Sequence, residues 1–263
     1  MTSKNKIDLN ADLGESFGAW KMGADEEMLE IVTSANIACG FHAGDPLVMK
    51  ETMQSCLANG VNSGAHPAFD DLTGFGRRRI QNPDIAHLEA SVTYQIGALV
   101  AIARSCGTRV THVKFHGALA NMASEQKALA DCLVMAVRNY DPTLAIVAMA
   151  ATELQRQTEN NRQPVLREVY ADRAYNDDGT LVSRNQAGAV LHDPEQAAER
   201  VLRMIDTQSI ESINGVRIDV VPETVCVHGD TAGAVAMAAK LREHLEANGV
   251  EITPYRAVKI CGS

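Results

Sequence analysis

The chain has 263 residues, 46% apolar, 22% charged and only 4% aromatic, with a formal net charge of −9. That composition excludes disorder and fibrous repeats, and it describes a globular chain whose core is mostly Ala, Val, Ile, Leu and Met. The acidic balance argues against nucleic acid as a partner, because phosphate neutralisation needs basic patches.

Short apolar runs alternate with helix-like segments along the whole length. Residues 6–11 read as a first strand, followed by the turn Asp12-Leu13-Gly14-Glu15. A second strand over 35–38 leads into Cys39-Gly40-Phe41-His42-Ala43-Gly44, and Asp45-Pro46 is a helix-entry signal, with aspartate as cap and proline at the first helical position. The helix over 46–58 ends before Gly60, and a third strand over 61–65 leads to His66-Pro67. A loop runs to about Pro83, and a long helix over 84–106 is closed by Gly107. A fourth strand over 109–115 leads to His116-Gly117, and the next helix is expected over 124–140 with Ser124 as its cap. Strands over 143–149 and 165–170 flank a short helix over 151–158. Asp172-Arg173 and a Gly- and Asp-bearing excursion precede a helix starting at Asp193-Pro194. A seventh strand over 223–227 opens on His228-Gly229-Asp230, and a last helix runs to Asn248-Gly249.

Strand–helix alternation without a Pro/Gly/Ser-rich linker predicts one α/β domain spanning 1–263, a distorted (β/α)7-type barrel, with a doubly wound sheet as the competing architecture. The six cysteines include no C-x-x-C pair, the opening residues carry no leader pattern, and no apolar run reaches the ~20 residues that span a bilayer. The expectation is a cytoplasmic chain with free thiols and no membrane partner.

In either architecture ligands bind at the carboxyl ends of the parallel strands. The residues expected there are Asn10, Asp12 and Glu15; His42 and Asp45; His66; Lys114 and His116; Asp172 and Arg173; His228 and Asp230. Asp12, His42, His66, Lys114, His116, Asp172 and His228 are the candidates for chemistry, since imidazole titrates near neutral pH and carboxylates and lysine complement it. Asn10, Glu15, Asp45, Arg77, Arg78, Arg173 and Asp230 are the candidates for holding substrate, the arginine forks matching carboxylates or phosphates. Asp12, His42 and His66 also form a potential divalent-metal set. Each of these has a plainer reading: Asp45 as a cap only, Asp12 as a turn residue, and the run Gly74-Phe75-Gly76-Arg77-Arg78-Arg79 as a solvated loop. His112 is expected in the core, and His87, His192 and His244 as surface or capping residues. No G-x-x-x-x-G-K-[ST] phosphate loop is present.

The motifs Asp8-Leu9-Asn10-Ala11-Asp12-Leu13-Gly14-Glu15, residues 36–46, Gly64-Ala65-His66-Pro67 and Gly74-Phe75-Gly76-Arg77-Arg78 resemble the LamB/YcsF family. So do Val113-Lys114 with His116-Gly117-Ala118-Leu119, Ala171-Asp172-Arg173-Ala174-Tyr175, and His228-Gly229-Asp230; the resemblance runs in order from about Ile7 to Tyr255. It implies a seven-stranded barrel similar to that of carbohydrate deacetylases. It also implies work in an ATP-dependent 5-oxoprolinase that opens the lactam of 5-oxo-L-proline to L-glutamate, with ATP as co-substrate and with partner subunits B and C. Phe115 and Ala120 depart from the family's run, which has proline and tyrosine there. The alternative readings are a metal-dependent carbohydrate deacetylase and a non-catalytic component that only binds substrate.

Overall fold

The first strand, β1 (Lys6–Leu13), states the plan of the molecule. Its alternate residues Ile7, Leu9, Ala11 and Leu13 join the large apolar cluster, while Asp8, Asn10 and Asp12 point the other way, into polar contacts. Both sets are shielded from water by the rest of the fold, although Asp12 keeps some access.

The structure is a computed structural model describing residues 5–227 and 233–255. After β1 come α1 (Asp25–Leu29), β2 (Ser34–Ala38), α2 (Pro46–Asn59), β3 (Asn62–His66), α3 (Ile85–Ser105) and β4 (Val110–Lys114). Then follow α4 (Gly117–Glu125), α5 (Lys127–Tyr140), β5 (Ala145–Met149), α6 (Glu153–Asn160), β6 (Val165–Tyr170) and α7 (Pro194–Thr207). A small antiparallel hairpin, β7 (Ser209–Glu211) and β8 (Arg217–Asp219), precedes β9 (Thr224–Cys226), α8 (Ala234–Ala247) and β10 (Glu251–Ile252).

Strands β1 to β6 pair in sequence order, β6 pairs with β9, and β9 pairs back to β1, all parallel, so seven strands close into a barrel. Closure through Asp8↔Thr224 and Glu168↔Thr224 rules out the open-sheet alternative. Strand β10 lies outside the ring and extends β1 at its amino end, Lys6↔Glu251.

The helix signals read from the sequence hold in several places. Asp45 caps α2, accepting from the amides of Leu47 and Val48, with Pro46 at the first helical position and Gly60 left-handed at the other end. Asp84 caps α3, and Gly107 follows it with φ +75°. At 21 residues α3 is long and apolar enough to cross a membrane, yet it buries Leu88, Val92, Ile96, Leu99 and Ala103 in the core and Gln95 against the main chain of Ala68. One expectation fails. The helix expected over 124–140 is two helices, and Ser124 lies in the last turn of α4, donating to Ala120 O rather than capping. Gly117, read as part of a strand exit, instead opens α4 at φ +55°, a value a side chain rarely tolerates.

The barrel lumen departs from the usual filling by branched aliphatic layers. Among the described residues Ala145, Val147 and Leu166 make a small apolar cluster, backed by Tyr255. Many of the other inward positions are polar and bonded to one another. Asp8 accepts from Thr33, Ser34 and Thr224, and Asn36 Nδ2 donates to Asn10 and Asp12. Asn36 Oδ1 meets His112 Nε2 at 3.0 Å. Gly64 has no side chain because the His112 ring fills the space a Cβ would need.

Candidate active site

At the carboxyl end of the barrel the polar network rises into a cavity of about 530 Å3. Its floor is Asp12 from β1, His66 from β3, Lys114 from β4 and Tyr170 from β6, with His116 just beyond β4. Parallel strands put these exits at one rim, so residues more than a hundred positions apart become neighbours.

Lys114 is the hub. Its Nζ lies 2.8 Å from Glu168 Oε1, 3.1 Å from Asp12 Oδ1, 3.1 Å from Asn10 Oδ1 and 3.1 Å from Cys226 Sγ. Burial by itself disfavours an ammonium, but the Asp12 and Glu168 carboxylates outweigh it and hold Lys114 well above its usual range. Burial likewise opposes ionisation of Asp12, and the His66 ring and the Lys114 ammonium outweigh it, holding the carboxyl well below the usual range. Both groups are therefore charged at neutral pH. Burial, followed by the pull of Lys114 and the push of Glu168, leaves the Cys226 thiol well above its usual range, so it is a neutral neighbour.

Beside this hub sits a cluster of three imidazoles and a carboxylate. His42 stacks on His116 with ring centres 3.8 Å apart, and both meet His66 edge-on. Gly76 lets the rings close up, since a Cβ there would come within 2.9 Å of His116 Cδ2 and of His42 Cβ, and its φ is +61°. His66 Nδ1 lies 2.7 Å from the main-chain carbonyl of Lys114, and His116 Nε2 lies 2.9 Å from that of Phe75. A carbonyl only accepts, so each of these nitrogens carries the proton and the other nitrogen of a neutral ring is a bare lone pair. The two remaining ring nitrogens, His66 Nε2 and His116 Nδ1, face each other at 3.0 Å. Asp12 Oδ2 is 3.3 Å from the first, Glu15 Oε1 is 3.8 Å from the second, and Glu15 Oε1 is also 3.4 Å from His42 Nε2. Acceptors converge here, and what they share is a need for a cation, either a proton or a metal ion.

The donor atoms of Glu15, His42, His66 and His116 all lie within 4.8 Å of one another, so these residues fit a divalent metal of the imidazole–carboxylate kind. Burial pushes His42 well below its usual range and His116 down to about 3, which keeps both rings in the neutral, ligating form. The set differs from the expected Asp12, His42 and His66: Asp12 stands next to the cluster, committed to Lys114 and Asn36, and Glu15 and His116 complete it.

The remaining candidates divide. Asn10 is buried below the cavity and bonds Thr224, Asn36 and Lys114. Asp45 caps α2 and also accepts from Gly18 N, which lowers its pKa through those amides, with Val48 foremost; it does not line the cavity. Arg77 and Arg173 line it, and Arg77 also lies over the Phe75 ring at 4.9 Å. Arg78 turns away, its guanidinium on Asp71 and Thr73. Asp172 does not line the cavity, its carbonyl accepting from Leu191 N. His228 and Asp230 lie outside the described residues. His112 is in the core as expected, His87 and His192 are exposed, and His244 is half-buried. The sequence reading missed Glu168, Cys226 and Asn36. Glu168 did carry a signal: it shares the parity of Leu166 and Tyr170 in β6, opposite to that of Arg167, which is the position of an inward charge.

Known proteins resemble this chain over its whole length. Residues 7–260 match the model of the LamB/YcsF family. The chain is 52% identical over 250 residues to a Rhodopseudomonas palustris protein named as the A subunit of 5-oxoprolinase, covering 95% of this chain and 98% of that one. The crystal structure of a lactam utilization protein from Thermus thermophilus is similar at a TM-score of 0.89 and 40% identity, over 95% of this chain and 100% of that one. A family 4 carbohydrate esterase from Streptomyces lividans is similar in fold alone, at a TM-score of 0.52 and 10% identity, over 94% of this chain and 91% of that one. By the full-length match and the level of identity, the chain belongs to the LamB/YcsF family.

Proposed function

We propose that this chain is the A component of an ATP-dependent 5-oxoprolinase, opening the lactam of 5-oxo-L-proline to L-glutamate together with partner subunits B and C. The observation that supports it most is full-length identity of about half to proteins named as the A component of 5-oxoprolinase, in a chain whose cavity floor holds Asp12, His66, Lys114 and His116. Among the described residues no glycine-rich phosphate loop accompanies a helix start, and the amides at the start of α2 are taken by Asp45. ATP use is therefore assigned to the assembled complex.

A lactam is a stabilised amide, and phosphorylation of its oxygen by ATP makes the ring carbon a better electrophile. Water then adds to that carbon, the C–N bond breaks and the ring nitrogen takes the proton. The resulting acyl phosphate loses phosphate to a second water. Asp12, ionised and fixed by Lys114 and Asn36, accepts a hydrogen bond from the attacking water and aims it at the ring carbon. The Lys114 ammonium, held by Asp12 and Glu168, stabilises negative charge developing on oxygen at the cavity floor. Glu15, His42, His66 and His116 would hold a divalent metal, which when bound would supply Lewis-acid polarisation of the carbonyl.

The test is to purify the chain with its partners and measure 5-oxoproline-dependent ATP hydrolysis and glutamate release. Asp12→Asn should abolish turnover in a chain that still folds, as circular dichroism reports; near-normal turnover would remove Asp12 from the chemistry. No glutamate from the full complex would sink the reading. Elemental analysis of the purified chain reports the metal directly, and His42→Ala should lower its content. The cluster of imidazoles also supports a second reading, a metal-dependent deacetylase. Acetate release from an N-acetyl sugar by the chain alone would favour that one.

A further inference from the structure

Above the cavity floor, one wall is the excursion between β6 and α7, and it brings a cation that the chemistry just described does not use. Arg173 is 7% exposed and lines the cavity. Its Nη2 donates to Val182 O at 2.7 Å, tying the guanidinium to the wall. Its Nε is buried with no hydrogen-bond partner among the described residues, and no described carboxylate forms an ion pair with the side chain. Burial, with Arg184 beside it, disfavours this guanidinium, and the neighbouring Asp172 only partly offsets that. A buried cation with an unspent donor costs free energy unless an anion arrives to satisfy it.

The surroundings have the same sign. Arg184 from the same excursion and Arg77 from the Gly74–Arg79 turn line the same cavity. Arg79 also lines it, paired with Glu125 at 2.5 and 3.0 Å. A guanidinium fork with an unpaired Nε matches a carboxylate in two-point geometry. Asp12, His66 and His116 lie at the strand ends, whereas Arg173, Arg184 and Arg77 come from the loops above, and the acidic Glu125 on that side is paired with Arg79, so reacting groups and arginines enter the cavity from different parts of the fold.

We propose that Arg173, with Arg184 beside it and Arg77 on the same cavity, forms its carboxylate-recognition end, and that it makes the site selective for lactams bearing a ring carboxylate over neutral lactams. This rests on the lactam-opening reading and adds to it the feature by which substrate is chosen. The carboxylate docked on Arg173 leaves the lactam carbonyl to face Lys114 and Asp12.

The experiment is steady-state kinetics of the complex assembled with its partners, for the wild type, Arg173→Met, Arg173→Lys and, as a control, Arg78→Met. Arg173→Met should raise KM for 5-oxo-L-proline about 10- to 100-fold, the range for losing a charged hydrogen-bonded contact, with kcat changed less than about 3-fold. Arg173→Lys, which keeps the charge but not the fork, should fall between them. Arg78→Met, whose side chain sits on Asp71, should leave KM unaltered. The second readout is equilibrium binding of 5-oxo-L-proline and of uncharged 2-pyrrolidinone to each purified chain. The wild type should prefer the carboxylate, and Arg173→Met should erase that preference without weakening 2-pyrrolidinone. An unchanged KM would overturn the proposal. So would an equal loss of affinity for both lactams or a fall in kcat alone, since either assigns Arg173 to holding the excursion in place. A wild-type complex that releases no glutamate would count against the lactam-opening reading itself, and the binding preference would still decide whether Arg173 recognises the carboxylate.

Discussion

The two sides of the barrel wall are built on opposite principles. Outside, Leu9, Ile37, Val113 and Val169 pack against α3, α5 and the other helices in one continuous apolar cluster. Inside, Asp8, Asn10, Asp12, Asn36, His112, Lys114 and Glu168 are joined by hydrogen bonds and ion pairs. The outer side is non-directional and tolerates small errors of shape, because hydrophobic burial scales with area. The inner side is all direction and charge, and a buried network is costly if any member is left unsatisfied. The outside therefore carries the stability, and the inside is a rigid scaffold that aims Lys114 and Asp12 at the cavity.

The sharpest way to break this division is Lys114→Met. It strands Asp12 and Glu168 without their shared cation and should cost about 3–5 kcal/mol in chemical denaturation. Adding Glu168→Gln should recover part of that loss; no recovery would mean the pair is not coupled. On the other side of the wall, Leu99→Ala opens a cavity in the apolar shell and should cost about 2–5 kcal/mol. The kinetics of the surviving folded fraction should be unchanged, whereas Lys114→Met should have no turnover at all.

Acidification probes the inside selectively. Burial, and then Lys114, push the His112 imidazole from 6.5 down to about 3. The unfolded chain thus takes up a proton at this position near pH 6.5 while the folded chain stays neutral until about pH 3. The stability it contributes is full above pH 6.5 and is lost as pH falls from there towards 3. The urea midpoint should drop across that window, and His112→Asn should make the drop shallower. The smallest expected effect is Asp45→Ala, about 1 kcal/mol for losing the cap on α2, with KM for 5-oxo-L-proline unaltered. A raised KM would return Asp45 to the substrate site.

Much of the fold was legible because its signals are local. Asp45-Pro46 and Asp84 announce helix starts, Gly60 and Gly107 announce stops, and the strand–helix alternation announces a parallel sheet. The break between α4 and α5 was not legible, since Gln126 is neither a glycine nor a proline and the chain is helix-friendly on both sides of it. At the site, Asp12, His66, Lys114 and His116 could be picked out by their places at strand exits. Arg77 and Arg78 could not be told apart by sequence, although one lines the cavity and the other is spent on Asp71.

What the residues alone determined is which groups stand at the carboxyl ends of the strands, because period-two alternation and turn chemistry act over a few positions. Only the closure of the ring decided who meets whom. Asn10 reaches Thr224 across 214 positions and Lys114 reaches Cys226 across 112 because β9 returns to β1. The cluster of Glu15, His42, His66 and His116 was likewise a tertiary outcome, depending on the bare turn at Gly76 to bring two rings within stacking distance. Spacing along a chain fixes the face on which a side chain stands, whereas distances across a barrel are set by strand order and shear.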